Sequence, residues 1–193
     1  MTIEVLIIFL FSYLLGSVPF GLILTKIFLK KDIRKIGSKN IGATNVLRTG
    51  NKLIAILTLL LDISKGGVTV LVTKIYFPDL IYLSGLGAFL GHIFPVWLKF
   101  NGGKGVATYL GILFILSSKL ALFFCLCWLI IAFISKYSSL SSIISTIIIF
   151  SISLLENNFE LNSYLFITFV LVIYTHKLNI IRLKNKTEDK IKL

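Results

Sequence analysis

The chain has 193 residues, 56% of them hydrophobic, and a mean hydropathy of +0.95, which is more apolar surface than one soluble core of this size can hide. An ordinary soluble domain is thereby excluded, and the length leaves room for about seven membrane crossings of roughly 20 residues each. The formal net charge of +12 would suit a nucleic-acid partner in a soluble protein, but these bases flank apolar runs. They read as orientation signals with attraction for anionic lipid and phosphorylated ligands, and no nucleic-acid partner is expected.

Met1-Thr2-Ile3-Glu4 lacks a basic leader, so the first apolar run, about Val5 to Leu24, is expected to be a retained helix and not a cleaved signal. Gly16-Ser17-Val18-Pro19 interrupts it and predicts a bend. A polar stretch from Lys26 to Lys52 follows, with eight Lys or Arg against one acid, Asp32. Further spans are predicted over roughly Leu53 to Phe77, Leu80 to Leu98, Val106 to Ser118, Leu120 to Ser135, Leu140 to Leu155 and Ser163 to Tyr174, the third and fourth being short. Turn signals separate them at Pro78-Asp79, Asn101-Gly102-Gly103 and Glu156-Asn157-Asn158. Cys125 and Cys127 lie two apart in an apolar helix and point to nearly opposite faces, so they neither pair nor share a metal.

Cytoplasmic segments of membrane proteins hold the excess of Lys and Arg. With the N-terminus outside, seven spans put 17 of the 20 basic residues in the cytoplasm, leaving Lys74 and Lys119 outside and Lys65 within the second span. The acids Glu4, Asp79, Glu156 and Glu160 fall outside. The expectation is an all-α membrane protein of seven transmembrane helices, N-terminus outside and C-terminus cytoplasmic, forming a single polytopic domain over 1–193.

On that topology every dense polar cluster faces the cytoplasm. The first, Gly37 to Arg48, combines small residues, side-chain amides and hydroxyls. Converging backbone N–H groups at such a turn cradle an anion, and Arg48 adds a bidentate phosphate contact. A glycine-rich turn leading to a helix capped by Thr44 or Asn45 accounts for the composition equally well. In the second cluster, Gly102-Gly103-Lys104-Gly105 lacks the P-loop spacing and follows a membrane span, which argues against a nucleotide. A lysine between glycines at a helix entrance still suits a phosphate oxygen or a developing negative charge. Ser138, Ser139 and Ser141 either donate to phosphate or cap the sixth helix.

His92 lies within an apolar span, where a hydrogen-bonded structural role is the commoner one. At the end of the last span, Asn179 and Arg182 follow His176 at i+3 and i+6 on one helical face. Asp62 and Lys65, an i, i+3 pair near the middle of the second span, are expected to face the bundle interior as an ion pair, because charge in hydrocarbon is expensive.

At these residues the sequence resembles the bacterial acyl-phosphate:glycerol-3-phosphate acyltransferase family of integral-membrane enzymes. The likeness is carried by Gly37-Ser38-Lys39-Asn40-Ile41-Gly42-Ala43-Thr44-Asn45-Val46-Leu47-Arg48, by Gly91-His92-Ile93-Phe94-Pro95-Val96 with Gly102-Gly103-Lys104-Gly105-Val106-Ala107-Thr108, by Tyr137-Ser138-Ser139-Leu140, and by His176 with Asn179-Ile180 and Arg182-Leu183. Their order and spacing agree along essentially the whole chain. Two positions depart from the family pattern: Asn101 stands where lysine is often found, and Lys186 where glycine commonly precedes Glu188.

The resemblance implies transfer of a fatty acyl group from acyl phosphate to the 1-hydroxyl of glycerol 3-phosphate, giving lysophosphatidic acid and phosphate, the first step of phospholipid biosynthesis. It implies a bacterial cytoplasmic membrane location with the active site on the cytoplasmic side, the two phosphorylated substrates and membrane lipid as partners, and no metal or organic cofactor. Carried over residue by residue, Ser38, Asn40, Gly42, Thr44 and Asn45 form the donor phosphate cradle. Arg48, Lys104 and Asn179 hold glycerol 3-phosphate and stabilise the transition state, with Gly102, Gly103 and Ser139 also binding substrate. His176 orients or deprotonates the attacking hydroxyl, a task a substrate phosphate could equally perform. An acyl phosphate is an activated mixed anhydride, so the reaction needs anion sites and alignment more than a protein nucleophile.

Soluble-type glycerolipid acyltransferases place aspartate five positions after a histidine; here Trp97 follows His92 and Ile181 follows His176 at that distance. A small anion transporter is the rival from another class. It would place polar groups near the midplane, where only Asp62 and Lys65 are expected.

Overall fold

The computed structural model describes residues 2–191. Met1 and Lys192, which enter the reading of the N-terminus and the charge count, lie outside the described residues. Ten helices and three 3₁₀ turns account for most of the described chain, and no strand occurs among the described residues. By Cα proximity the chain divides into two compact units, residues 1–115 and 116–193.

In the first unit, helix α1 (Thr2–Gly16) and helix α2 (Phe20–Leu29) form one apolar run with a break between them. Pro19 has no N–H to continue the ladder. Instead Ser17 N bonds back to Tyr13 O and Leu14 O, and Phe20 N to Val18 O. The break falls where Gly16 and Pro19 predict it, but α2 carries the run five residues past Leu24.

The 3₁₀ turn Ile33–Lys35 and short helix α3 (Ala43–Leu47) follow. Asp32 starts the turn, accepting from Arg34 N and forming a bidentate pair with the Arg34 guanidinium at 2.9 and 2.6 Å. That hydrogen-bonded guanidinium holds the Asp32 carboxyl well below the usual range. Leu22, Ile33, Ile41, Val46, Ile54 and Ala55 pack into a buried cluster that folds this polar segment onto α2 and helix α4 (Lys52–Tyr76). Asn51 caps α4 by accepting from Ile54 N at 3.0 Å.

Helix α5 (Ile81–Ile93) packs on α1 almost backbone to backbone. A Cβ at Gly16 would meet the Ala88 carbonyl, and one at Gly91 the Tyr13 carbonyl and Ser17 amide. Small residues of this kind let membrane helices approach closely where hydrophobic driving force is absent. Buried hydroxyls add links: Ser12 Oγ donates to Ser84 Oγ and Thr73 Oγ1 to Ser84 Oγ, both at 2.9 Å. Tyr13 Oη donates to Phe94 O, and Trp97 Nε1 to Ser17 Oγ, each at 2.7 Å, pinning the break to the end of α5. Gly91→Ala is expected to destabilise the protein by about 1–3 kcal/mol through overpacking, read as a lowered melting temperature in detergent. An unchanged melting temperature would show that α1 and α5 can part at no cost.

Helix α6 (Val106–Leu116) completes this unit. The second holds helices α7 (Ser118–Ser135), α8 (Ser138–Ser153), α9 (Phe159–Thr175) and α10 (Lys177–Lys184), with a bend of 58° between the last two. Ser117 and Asn158 cap α7 and α9. Large apolar side chains such as Phe133, Ile134, Leu155 and Phe159 are exposed, a surface that hydrocarbon stabilises and water does not.

Each of the seven predicted runs is helical. Four are long and apolar enough to cross a membrane: Ile3–Leu29, Lys52–Tyr76, Pro78–Leu98 and Ser118–Ser135. The bent pair α9 and α10 makes a fifth if counted as one span, while α6 and α8 are apolar but shorter.

Candidate active site

In the first unit the loop from Gly37 to Arg48 is organised around one buried side chain. Asn45 Oδ1 accepts from Ser38 N at 3.0 Å, and its Nδ2 donates to Asn40 O at 2.7 Å, Ile36 O at 3.0 Å and Ile33 O at 3.2 Å. Both ends of the amide are therefore engaged with backbone, which makes Asn45 the scaffold of the loop. It does not cap α3, and neither does Thr44; the capping position belongs to Gly42, which has no side chain to accept with. Asn40 Oδ1 accepts from Gly42 N at 2.9 Å, closing a side-chain turn that fixes where α3 begins. Gly37 takes φ +51, and a Cβ there would meet Asn45 Oδ1 and the Arg48 side chain. Ser38, Asn40, Gly42, Thr44, Asn45 and Arg48 thus share one tightly turned segment.

The second cluster follows α5. Pro95 opens the 3₁₀ turn Val96–Leu98, and Lys99 and Phe100 both adopt left-handed backbone at φ 51 and 61. This double reversal brings the chain back, so Gly102 N donates to Ile93 O and Gly103 N to His92 O, each at 3.1 Å. Gly103 lies against the His92 imidazole with no room for a Cβ. Gly105, at φ +83, is pressed on the Phe89 ring. Half-buried Lys104 is held between these two anchored glycines. It stands just before α6, whose N-terminal end carries the partial positive charge of a helix dipole. Asn101 is exposed and donates to Lys99 O in its own turn.

Asp62 and Lys65 form the expected buried ion pair at 2.8 Å.

In the second unit, His176 is buried at the junction of α9 and α10, with Nδ1 2.9 Å from Val172 O. A proton on Nδ1 satisfies that carbonyl and leaves Nε2 as the basic nitrogen. Asn179 and Arg182, predicted to share a face with His176, converge on a residue that sequence reasoning did not single out, Glu188. Its Oε1 accepts from Asn179 Nδ2 at 2.5 Å and from Ser139 Oγ at 2.7 Å, and its Oε2 from Arg182 Nε at 2.7 Å. Burial raises the Glu188 carboxyl, but the hydrogen bonds from Arg182, Ser139 and Asn179 outweigh it and leave a net lowering.

The predicted serine caps do not form, because Tyr137 occupies the capping position of α8. Ser139 reaches Glu188, and Ser141 bonds back to Tyr137 O. The tail that delivers Glu188 turns at Lys186, whose φ of 57 is the left-handed conformation glycine adopts freely. It ends with Ile191 N donating to Lys136 O at 2.8 Å and Lys190 Nζ 5.8 Å from the centre of the Tyr137 ring.

The family model for glycerol-3-phosphate acyltransferase matches residues 6–186. Among curated relatives, the glycerol-3-phosphate acyltransferase of Pelagibacter ubique is 57% identical over 98% of this chain and 99% of its own. That of Mesorhizobium japonicum is 50% identical over 99% and 98%. The crystal structure of PlsY, an integral membrane glycerol 3-phosphate acyltransferase, in its glycerol 3-phosphate form superposes with a TM-score of 0.92 at 38% identity, covering 98% of this chain and 96% of that one. Its lysophosphatidic acid form gives a TM-score of 0.90 at 37% identity with the same coverage.

Proposed function

This chain belongs to the glycerol-3-phosphate acyltransferase family, and from that premise we propose that it takes its acyl group from acyl phosphate and delivers it to the 1-hydroxyl of glycerol 3-phosphate. The protein is an integral-membrane acyltransferase of phospholipid biosynthesis. The match over residues 6–186 supports reading it as one acyltransferase domain.

The observation that carries the proposal is Lys104, held between a glycine locked on His92 and a glycine locked on Phe89 at the start of α6. A lysine whose backbone is held in place there has less to order before its ammonium meets a phosphate oxygen or a developing oxyanion. The hydroxyl oxygen attacks the acyl carbonyl carbon, the bond from that carbon to the bridging phosphate oxygen breaks, and phosphate leaves. The hydroxyl proton passes to His176 Nε2 or to a phosphate oxygen. Ser38, Asn40, Gly42 and Thr44 cradle the donor phosphate on the loop that Asn45 holds in shape. In the first unit Arg48 and Lys104, with Gly102 and Gly103, take glycerol 3-phosphate; in the second, the resemblance assigns substrate binding to Asn179 and Ser139.

The chain crosses the bacterial cytoplasmic membrane seven times in this reading, N-terminus outside, with these residues on the cytoplasmic side. The placement of 17 of 20 basic residues supports it. Helix α6 is about 16 Å long at 1.5 Å per residue, so the bilayer thins or the glycine loop enters it at that crossing.

Purified protein in detergent, given glycerol 3-phosphate with either acyl phosphate or acyl coenzyme A, tests the donor. Product from acyl phosphate alone is expected, and product from acyl coenzyme A alone rejects the proposal. Accessibility labelling of cysteines placed at Arg48, Lys104 and His176 tests the topology, with all three expected on one side.

A further inference from the structure

Asp62, Lys65 and His92 lie inside the apolar interior of the first unit with no part in the chemistry above, exposed by 2%, 4% and 4%. Lys65 Nζ meets Asp62 Oδ1 at 2.8 Å, donates to Val18 O at 2.8 Å and lies 5.7 Å from the centre of the Phe20 ring. Val18 is in the break between α1 and α2. On the other side, Asp62 Oδ1 is 3.8 Å from His92 Nδ1, which is also 3.1 Å from Thr108 Oγ1 on α6. The opposite edge of the ring faces Gly103, where an added Cβ would overlap Nε2, Cε1 and Cδ2. The residues therefore line up from the helix break through Lys65, Asp62 and His92 to Gly103, the residue before Lys104, the step from Asp62 to His92 being a 3.8 Å approach and not a hydrogen bond.

Such an arrangement is weak evidence of stabilisation, because a buried ion pair exchanged for apolar side chains of similar volume often leaves a protein as stable or more so. Charge retained within a membrane span marks function. We infer that Asp62, acting through Lys65 and His92, is a positioning residue for Lys104. It links the helix break to the Nδ1 edge of the imidazole, and the opposite edge sets the position of Gly103. The inference rests on the proposed role of Lys104, since a displacement of about 1 Å at a reacting group costs on the order of a hundredfold in rate.

Turnover of the full chain in detergent tests it, scored on monodisperse protein with a cooperative melt. Asp62→Leu with Lys65→Met removes both charges together, so neither is left buried alone. This pair is expected to melt like the parent while kcat falls about tenfold or more, with KM for the acyl donor unchanged. His92→Gln keeps the ion pair and is expected to show the same loss. Because the residues act in series, all three substitutions together should be no worse than either set alone. Gly103→Ala should be nearly inactive, and adding His92→Ala should restore it to the level of His92→Ala itself, since the ring is what the methyl strikes.

Parental kcat in folded His92→Gln or in the folded Asp62/Lys65 pair overturns the inference, as do losses that multiply in the triple variant. If the pair does not fold, His92→Gln and the Gly103 rescue decide. Lys104→Ala is the reference: parental turnover there removes the role of Lys104, whereas a large loss there beside parental network variants removes only the positioning.

Discussion

Lys104→Ala is expected to lower kcat by about a hundredfold or more, the size of effect seen when one preorganised group aimed at developing charge is removed. A hundredfold corresponds to about 2.7 kcal/mol of transition-state stabilisation. The expectation follows from how the lysine is held: Gly103 and Gly105 are both anchored, so its backbone has a fixed position when substrate arrives. Because the side chain is half-buried and not part of a packed core, the melting temperature should change little. Steady-state rates on protein with a parental melt are the check, and near-normal turnover would eliminate the role. Lys104→Arg should recover only part of the loss, because the planar guanidinium presents its charge differently from a compact ammonium.

Glu188→Ala is expected to have the second largest effect. It removes the common acceptor of Ser139, Asn179 and Arg182 at once, from a carboxylate whose side chain is only 7% exposed. Hydrogen bonds to a charged group contribute roughly 1.5–3 kcal/mol each and do not add fully. The Arg182 part is discounted because that side chain is 36% exposed. A local loss of about 3 kcal/mol is expected, with faster deuterium exchange over residues 176–191 and at least a tenfold fall in activity as Asn179 loses its anchor.

The same carboxylate sets a pH window. Its folded pKa lies below the ordinary glutamate value of about 4.3, so its stabilisation is fully present above that value and is lost as pH falls through the lower folded one. Exchange in the tail, corrected for its intrinsic rate, should be flat from about pH 5 to 8 and rise only below about pH 4. A rise already near pH 6 would remove Glu188 as the group responsible.

Much of the fold is local and could be read from the sequence. Gly16 and Pro19 mark the break because one permits close packing and the other lacks a donor. Asp62 and Lys65 pair because three residues along a helix bring them together. The order of motifs along the chain agrees with the family match over residues 6–186. Loop closure is less legible. Asn45 looks like a cap or a phosphate ligand until the carbonyls of Ile33, Ile36 and Asn40 are seen to converge on it.

Glu188 is 49 residues from Ser139, and no local pattern announces that contact; the place of Glu188 in the family's tail pattern marks the residue but not its partners. His92 reaches Gly103 because Lys99 and Phe100 both turn left-handed, a conformation neither residue type advertises. The lengths of α6 and α8 are close to those of the predicted runs, Val106 to Ser118 and Leu140 to Leu155, but apolar character does not distinguish a short helix from a full crossing.

The left-handed lysines carry a consequence for biogenesis. Lys30, Lys99 and Lys136, at φ 52, 51 and 61, each sit immediately after a helical segment, where glycine would relieve the backbone. A cation there instead complements the negative end of the segment and, in the proposed orientation, keeps its loop from being translocated. Folding and insertion thus pull the same three codons in opposite directions: glycine would make a more relaxed stop and lysine makes a more certain address.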